Sequence, residues 1–309
     1  MSAPPAVARP DRATWLAGVA CAIAGAVLFA GKGIVVKLAY RHGVDPTTLM
    51  ALRMAFALPC FVAVALWVAA RTPAQDSPWR PGDGPRVAGL GVLGYWLGSW
   101  LDFLGLQHVS AGLERVILYL NPTLVVLIGA LVLRRPVAPR QWAALAIAYA
   151  GVLVVFGHDA AAAGGGDVPL GAALVFASAL AYAVYLVAGG EMVKRLGSLR
   201  MIAWAMTAAC LACIAHALLL SPSALVSQPA PVYALSVVNA LACTVLPVFL
   251  VMAGVERVGS AVASQLGMVG PAATIAMGAA LLGEPIGAAQ LIGTALVLVG
   301  IFVLTVRRT

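Results

Sequence analysis

The sequence predicts an all-helical integral membrane protein, with ten transmembrane helices arranged as two inverted five-helix repeats. Three observations predict this fold class. Hydrophobic residues make up 62% of the 309 residues, charged residues only 10%, and the mean hydropathy is +1.00, whereas a soluble domain carries about 25% charged residues. The apolar residues fall into long runs without the alternation of a β-strand. Two stretches of the chain also repeat each other.

The apolar runs define the helices in chain order. Most of them reach the roughly 20 residues that a helix needs to span the hydrocarbon of a bilayer, and the fifth is the shortest. The predicted segments are 14–36, 46–70, 86–107, 111–133, 140–156, 169–190, 200–220, 231–254, 260–282 and 287–306.

Basic residues indicate how these helices are oriented. With a cytoplasmic N-terminus, only Lys37 and Arg41 fall outside, which is the bias expected of cytoplasmic loops. The net charge of +8 therefore reflects orientation and not a nucleic-acid partner. We expect both termini in the cytoplasm, and the high Ala, Gly and Arg content favours a bacterial inner (plasma) membrane. The cytoplasmic cations are Arg9, Arg12, Arg71, Arg80, Arg86, Arg134, Arg135, Arg140, Lys194, Arg195, Arg200, Arg257, Arg307 and Arg308.

An internal repeat divides the chain. A shift of 149 positions superposes two prolines, a glutamine and two glycines, among other residues. Each half then holds five helices, and an odd number means that the second half enters the membrane from the opposite side. We predict a cytoplasmic tail at 1–13, a first repeat at 14–157, a Gly/Ala linker at 158–168 and a second repeat at 169–309. The pairs include Pro122/Pro271, Pro136/Pro285, Gln141/Gln290, Gly129/Gly278 and Gly151/Gly300.

Three stretches carry a resemblance to a known family: "GKGIVVKLAYRHGVDPTTLMALRMAFALP", "LERVILYLNPTLVVLIGALVLRRP" and "LLGEPIGAAQLIGTALVLVGIF". Beyond its first dozen residues, nearly the whole chain resembles an EamA-type member of the drug/metabolite transporter superfamily. The resemblance implies ten helices, a central cavity between the halves, and export or exchange of small metabolites. The family's Leu-Gly-Glu-Pro corner is present at 282–285, whereas the first half has Leu-Arg-Arg-Pro at 133–136.

Five charged residues lie inside the predicted helices, all in the outer part of the membrane: Lys32, Arg53, Asp102, Glu114 and Arg115. A charge at a helix centre costs about 2.5–3.5 kcal/mol on insertion scales, so such side chains usually face the bundle interior and pair. We expect Glu114 to pair with Lys32 or Arg53, and Arg115 with Asp102. Two interpretations stay open, a structural or gating role and direct contact with a substrate carboxylate.

Two Pro-containing pairs lie near the middle of equivalent helices. Asn121-Pro122 is in the fourth helix and Gly270-Pro271 in the ninth. Proline removes a backbone hydrogen bond and kinks a helix, so we predict a helix break at each. The alternative is an inert kink that serves packing. Tyr119, beside the first break, is a candidate lining residue.

Four further residues are candidates for the substrate path. Trp96 and Trp100 recur on one face of the third helix. They form either an aromatic wall for a substrate or a stripe that is lipid-facing or packed in the core. Glu191 and Gln265 lie toward the cytoplasmic side of the second half, where they are expected to line an inner vestibule.

These features favour a secondary active transporter, and not an enzyme, that exports a small amino-acid-like or other polar or amphipathic metabolite by alternating access. A proton or another ion is the expected coupling species, and the protein is a monomer or homodimer. We find no sequence motif for a cofactor or a metal. The alternatives are a membrane enzyme acting on lipid, for which Glu114, Arg115 and Asp102 are the candidate set, and a channel, which normally presents rings of residues from an oligomer.

Overall fold

A computed structural model of the protein describes residues 12–71, 79–132, 134, 136–162 and 167–305. Within these ranges the regular structure is helical, without a β-strand. We number the helices in chain order: α1 (Arg12–Tyr40), α2 (Pro46–Ala70), α3 (Asp83–Gly105), α4 (Ala111–Leu131), α5 (Pro139–Ala162), α6 (Val168–Leu196), α7 (Ser198–Leu220), α8 (Ala230–Val258), α9 (Ser260–Gly267, Val269–Met277 and Gly278–Leu282) and α10 (Ala288–Thr305).

Nine helices in the described part of the chain, α1 to α9, are long and apolar enough to cross a membrane. Helix α10 is also apolar but falls in a shorter class. Hydropathy predicts that the fifth segment ends at residue 156, whereas α5 continues to Ala162. Its last three residues are alanines, which have the strongest helix propensity. Residues that we had assigned to the linker therefore extend this helix.

Local sequence rules fix the start of two helices that carry site residues. The Asp45 side chain accepts a hydrogen bond from the backbone nitrogen of Thr48 at 2.9 Å and caps α2. Ser110 caps α4 in the same way, because its hydroxyl accepts from the nitrogen of Leu113 at 3.0 Å. Both caps satisfy amides that have no partner within the helix.

The helices of the two halves interlock in reciprocal pairs. Helix α1 packs against α8, and α3 packs against α6, so the first helix of each half meets the third helix of the other. The second helices, α2 and α7, pack together, as do α4 with α9 and α5 with α10. The protein core therefore lies between the halves and not within either of them.

Backbone irregularities recur at the spacing of the sequence repeat. A wide π-helical turn interrupts α3 at Val92–Leu97 and α8 at Leu241–Val245, and the two turns begin 149 positions apart. Helix α4 is interrupted at Tyr119, and α9 at Met268, again 149 positions apart. The two halves thus share local distortions as well as residues.

Helices α5 and α10 approach so closely that their backbones touch. A Cβ atom added to Gly151 would lie 2.5 Å from the carbonyl oxygen of Gly293, and one added to Gly293 would lie 2.6 Å from the carbonyl oxygen of Gly151. Small residues at such positions let membrane helices pack at short range. The contact between these two helices therefore depends on both glycines.

Candidate functional site

Lys32 lies between two carboxylates at the centre of the charged layer. Its Nζ atom is 2.6 Å from Oδ2 of Asp102 on α3 and 3.1 Å from Oε1 of Glu114 on α4. Lys32 is 9% exposed, Asp102 2% and Glu114 0%. The expected pair of Glu114 with Lys32 is present, and one ammonium group from α1 joins three helices.

The carboxylates of this cluster have spare hydrogen-bonding capacity. Oδ1 of Asp102 and Oε2 of Glu114 are buried and have no hydrogen-bond partner among the described residues. A buried polar atom without a partner is costly, and such atoms in a native structure require an explanation. The two oxygens form an incomplete acceptor set that a proton or a cationic group can complete.

Arg115 has different partners from those we expected. Its Nη2 atom donates to the carbonyl oxygen of Phe29 at 2.7 Å, and its Nε atom donates to Oγ1 of Thr274 at 3.2 Å. The predicted pair of Arg115 with Asp102 is wrong, because Asp102 lies against Lys32. Arg115 instead connects α4 to α1 and to α9, so it lies at the junction of the two halves.

Arg53 is the second buried guanidinium of the layer. It is 3% exposed, donates from Nη2 to Oγ of Ser99 at 2.8 Å, and lies 4.8 Å from the ring centre of Phe103. Its Nε atom is buried without a hydrogen-bond partner among the described residues. Ser99, Phe103 and Asp102 all belong to α3, so Arg53 packs on the same helix segment that carries one of the two carboxylates.

The interruptions of α4 and α9 are linked through Tyr119. Pro122 cannot donate to the carbonyl of Leu118, and Nδ2 of Asn121 donates to that oxygen instead, at 2.7 Å. Pro271 likewise leaves the carbonyl of Gly267 without its helical partner, and the Tyr119 hydroxyl donates to it at 2.6 Å. Asn121 therefore has a local structural contact, whereas Tyr119 joins the two halves.

Gly270 makes room for the tyrosine. A Cβ atom at this position would overlap the Tyr119 hydroxyl oxygen, closer than real Cβ contacts occur. The first half has Asn121 at the equivalent position, 149 residues earlier. In the first half the Asn121 amide donates to the free carbonyl of its own helix. In the second half Gly270 has no side chain, and the space is filled by the Tyr119 hydroxyl of the first half, which donates to the free carbonyl.

The aromatic stripe of α3 packs against α7. The rings of Trp96 and Trp100 are stacked, with centroids 6.4 Å apart, and His216 meets them edge-on at 5.5 Å and 5.3 Å. Nε1 of Trp100 also donates to Oγ1 of Thr47 at 3.3 Å. These contacts place both tryptophans in helix packing, the alternative to an aromatic wall.

The structure describes the side chain of one of the two candidates for an inner vestibule. Gln265 is exposed on the first piece of α9. Glu191 lies in α6, but its side chain is outside the part that the structure describes.

Glu284 connects the outer ends of three helices, and the sequence analysis did not assign it a function. Its Oε1 atom is 3.2 Å from Nζ of Lys37 and accepts from the backbone nitrogen of Ala111 at 3.1 Å. Lys37 also donates to the carbonyl oxygen of Val109 at 2.8 Å. The Leu-Gly-Glu-Pro corner is the sequence feature that could have identified Glu284. In the structure this residue links the end of α1 and the start of α4 to the segment that follows α9.

At the opposite end, Asp83 and Arg195 join α3 to α6. Two parallel hydrogen bonds of 2.7 and 2.9 Å connect the guanidinium to the carboxylate.

Two pockets lie elsewhere on the described part of the molecule. One, of about 420 Å³, surrounds the Asp83–Arg195 pair. The other, of about 470 Å³, is apolar and is lined by residues of α2, α7 and α8. Neither pocket is lined by a residue of the charged layer, so the layer is closed off from both.

Comparison with known proteins agrees with this architecture. A model of the EamA-like transporter family matches residues 16–157 and, a second time, residues 169–306. The chain belongs to the EamA-like transporter family. The uncharacterized transporter YcbK of Bacillus subtilis (strain 168) is 34% identical over 287 residues, covering 90% of this chain and 89% of that protein. The uncharacterized transporter YyaM of the same strain is 26% identical, covering 69% and 70%.

A solved structure supports the fold. It superposes on the chain with a TM-score of 0.62 at 20% identity, covering 93% of this chain and 96% of that one. Together with the apolar helices, the EamA-like family places the chain among multi-pass membrane transporters. The names of the family and of these relatives indicate a transporter rather than an enzyme.

Proposed function

We propose that this EamA-like transporter is a secondary active exporter of a small amino-acid-like solute that carries both an ammonium and a carboxylate group. The observation that supports it is the buried charged layer, in which acceptors and a donor without partners lie on neighbouring helices. Transport substrates of this kind need both signs of charge in one water-poor place, because a lone buried charge is strongly disfavoured.

Each charged group of such a solute has a matching site. Its ammonium group binds Oδ1 of Asp102 and Oε2 of Glu114, the acceptors without partners. Its carboxylate binds the Arg53 guanidinium, whose Nε atom is an unused donor. Arg115 is already held by Phe29 and Thr274, so we assign it to the junction between the halves.

We further propose that the two halves form an inverted repeat of ten crossings, with α10 as the tenth and both termini in the cytoplasm of a bacterial cell. The reciprocal packing of α1 with α8 and α3 with α6 supports this arrangement. So do the π-helical turns and helix interruptions that recur 149 positions apart. Alternating access then consists of rocking one half against the other around the charged layer.

Coupling to a proton fits the same cluster. Lys32 provides one positive charge for two carboxylates, and a proton on Asp102 or Glu114 replaces the solute's ammonium group as the second partner. Because the sites are shared, solute and proton bind in competition, which is the behaviour of an antiporter. The proposed unit is a monomer or a homodimer and needs no cofactor.

A matched series of three solutes tests the substrate class. Alanine carries both an ammonium and a carboxylate group, ethylamine carries only the ammonium group, and propionate carries only the carboxylate group. Purified protein in proteoliposomes should show counterflow of radiolabelled neutral amino acids and weak or no flux of the two single-charge analogues. Arg53→Met should abolish the preference for the amino acid over the amine. Equal transport of ethylamine and alanine by the wild-type protein would reject the proposed carboxylate site.

A further inference from the structure

A strongly basic pocket lies where α3 begins and α6 ends. Six residues line its volume of about 420 Å³, namely Arg80, Asp83, Arg86, Met192, Lys194 and Arg195. Four of them are cationic and one is acidic. The acid is buried and held by both terminal nitrogens of Arg195. Arg80, Arg86 and Lys194 complete the charged lining of the pocket.

The additional cations face outward. Arg80, Arg86 and Lys194 belong to the exposed residues, whereas Asp83 is buried. The backbone nitrogen of Arg80 donates to Oδ2 of Asp83 at 2.7 Å, which fixes the start of the pocket to the ion pair. Asp83 therefore connects Arg80 and Arg195 within the pocket.

The pocket lies at the ends of two apolar spans. The apolar span of α3 starts at Asp83, and that of α6 ends at Gly190. Trp79, next to Arg80 in the chain, packs edge-on against Trp204 with ring centroids 6.2 Å apart. Tryptophan is enriched at the boundary between hydrocarbon and water. From the ends of these spans and the tryptophan pair, we infer that the cations lie at the level of the lipid phosphates.

We propose that this pocket binds the phosphate headgroup of an anionic phospholipid. Guanidinium groups match phosphate oxygens in bidentate geometry, and basic pockets between membrane helices recognise acidic headgroups. The bound lipid would hold the ends of α3 and α6 together beside the Asp83–Arg195 pair. This inference is independent of the transported solute.

The test measures how many lipids the full-length protein retains in detergent. Native mass spectrometry compares phosphatidylglycerol with phosphatidylcholine of the same acyl chains, for the wild type and for Arg80→Gln/Arg86→Gln/Lys194→Gln. This variant leaves the Asp83–Arg195 pair intact. The control Arg71→Gln/Arg140→Gln/Arg257→Gln removes the same charge from the same predicted face, outside the pocket.

We expect the wild type and the control to prefer phosphatidylglycerol. The pocket variant should bind it on the order of a hundredfold more weakly, at about fivefold per cation. Equal loss in both variants would overturn the proposal in favour of general surface charge. If excess inorganic phosphate displaces the lipid and the protein retains the phosphate, the proposal is overturned and the pocket is a site for soluble anions. Matching melting temperatures of the two variants exclude unfolding as the cause.

Discussion

The Tyr119 hydroxyl donates a 2.6 Å hydrogen bond to the carbonyl oxygen of Gly267. This bond runs from the interruption of α4 to the first piece of α9, between the two halves of the protein. The oxygen is available because Pro271, four residues later, has no N–H to donate to it. A backbone defect in one half is thus satisfied by a side chain at the equivalent defect in the other.

Tyr119→Phe should weaken this link. The substitution leaves the Gly267 carbonyl without its donor, and we expect the free energy of unfolding to fall by about 1–3 kcal/mol. Solute flux in proteoliposomes should fall as well, because the two interruptions are no longer joined. Tyr233→Phe is the control, since it loses a 3.0 Å bond to the Leu225 carbonyl away from both interruptions. Normal flux in Tyr119→Phe would contradict the coupling.

Pro122→Ala and Pro271→Ala should impair transport more than folding. Each alanine supplies an N–H that can bond to the carbonyl of Leu118 or Gly267 and straighten the helix. Both prolines lie in the first turn of the helix piece that follows the interruption, where proline is tolerated, so the melting temperature should change little while flux falls. Pro59→Ala, inside α2, is a control that should leave flux unchanged. Wild-type flux in one of the variants would show that the interruption in that half has no role in transport.

Lys32→Met should be more destabilising than Glu114→Gln. The first change leaves two buried carboxylates without their cation, a loss of about 3–5 kcal/mol. The second leaves the 2.6 Å contact between Lys32 and Asp102 in place. The double variant should regain part of the stability lost by Lys32→Met alone. Thermal unfolding and flux at several pH values measure both effects. If Glu114→Gln transports normally with unchanged pH dependence, Glu114 has a structural role only.

Lys37 and Glu284 should be energetically coupled. Their side chains are 25% and 17% exposed, so the pair is more shielded than a surface salt bridge, and we expect a coupling energy of about 1 kcal/mol. A double-mutant cycle with Lys37→Gln and Glu284→Gln measures it, and the amide introduced by Glu284→Gln still offers an acceptor to the backbone nitrogen of Ala111. The coupling should shrink at high salt. A coupling energy near zero would show that the outer ends are held by other contacts.

Both termini should lie in the cytoplasm. In a cysteine-free background, Asp167→Cys should react with an impermeant thiol reagent in intact cells, and Gly84→Cys should react only after lysis. Gly84 is the better site on this side because it is exposed, whereas the neighbouring Asp83 is buried against Arg195. Labelling of Gly84→Cys from outside would reverse the proposed orientation.

The helices themselves were predictable from hydropathy, because a spanning helix must be both long and apolar. The pair of Glu114 with Lys32 was also predictable, because few oppositely charged residues lie at the same predicted depth in the membrane. Asp102 was assigned to the wrong cation because the sign of charge alone guided the pairing. Lys32 contacts both carboxylates. Which side chains meet depends on how α1, α3 and α4 pack together, and local sequence gives little signal for that packing.

The contact of Tyr119 with Gly267 illustrates a second limit. Proline positions predicted where each helix would be irregular, and the repeat predicted that both would be. Which side chain fills the resulting gap depends on how closely α4 and α9 approach, and that distance is set by packing across the whole molecule. Gly270 is the sequence feature that pointed to this contact. It occupies the position of the second half that corresponds to Asn121 in the first, and it has no side chain there.

The seam between α5 and α10 bears on how the two halves could move. Where Gly151 and Gly293 bring backbone against backbone, the helices have no layer of side chains that can slide or repack. If one half rocks against the other, as we propose, this seam favours swivelling over separation. Opening on one face would then accompany closing on the other. The exchange between inside and outside would thus depend on two residues that carry no side chain.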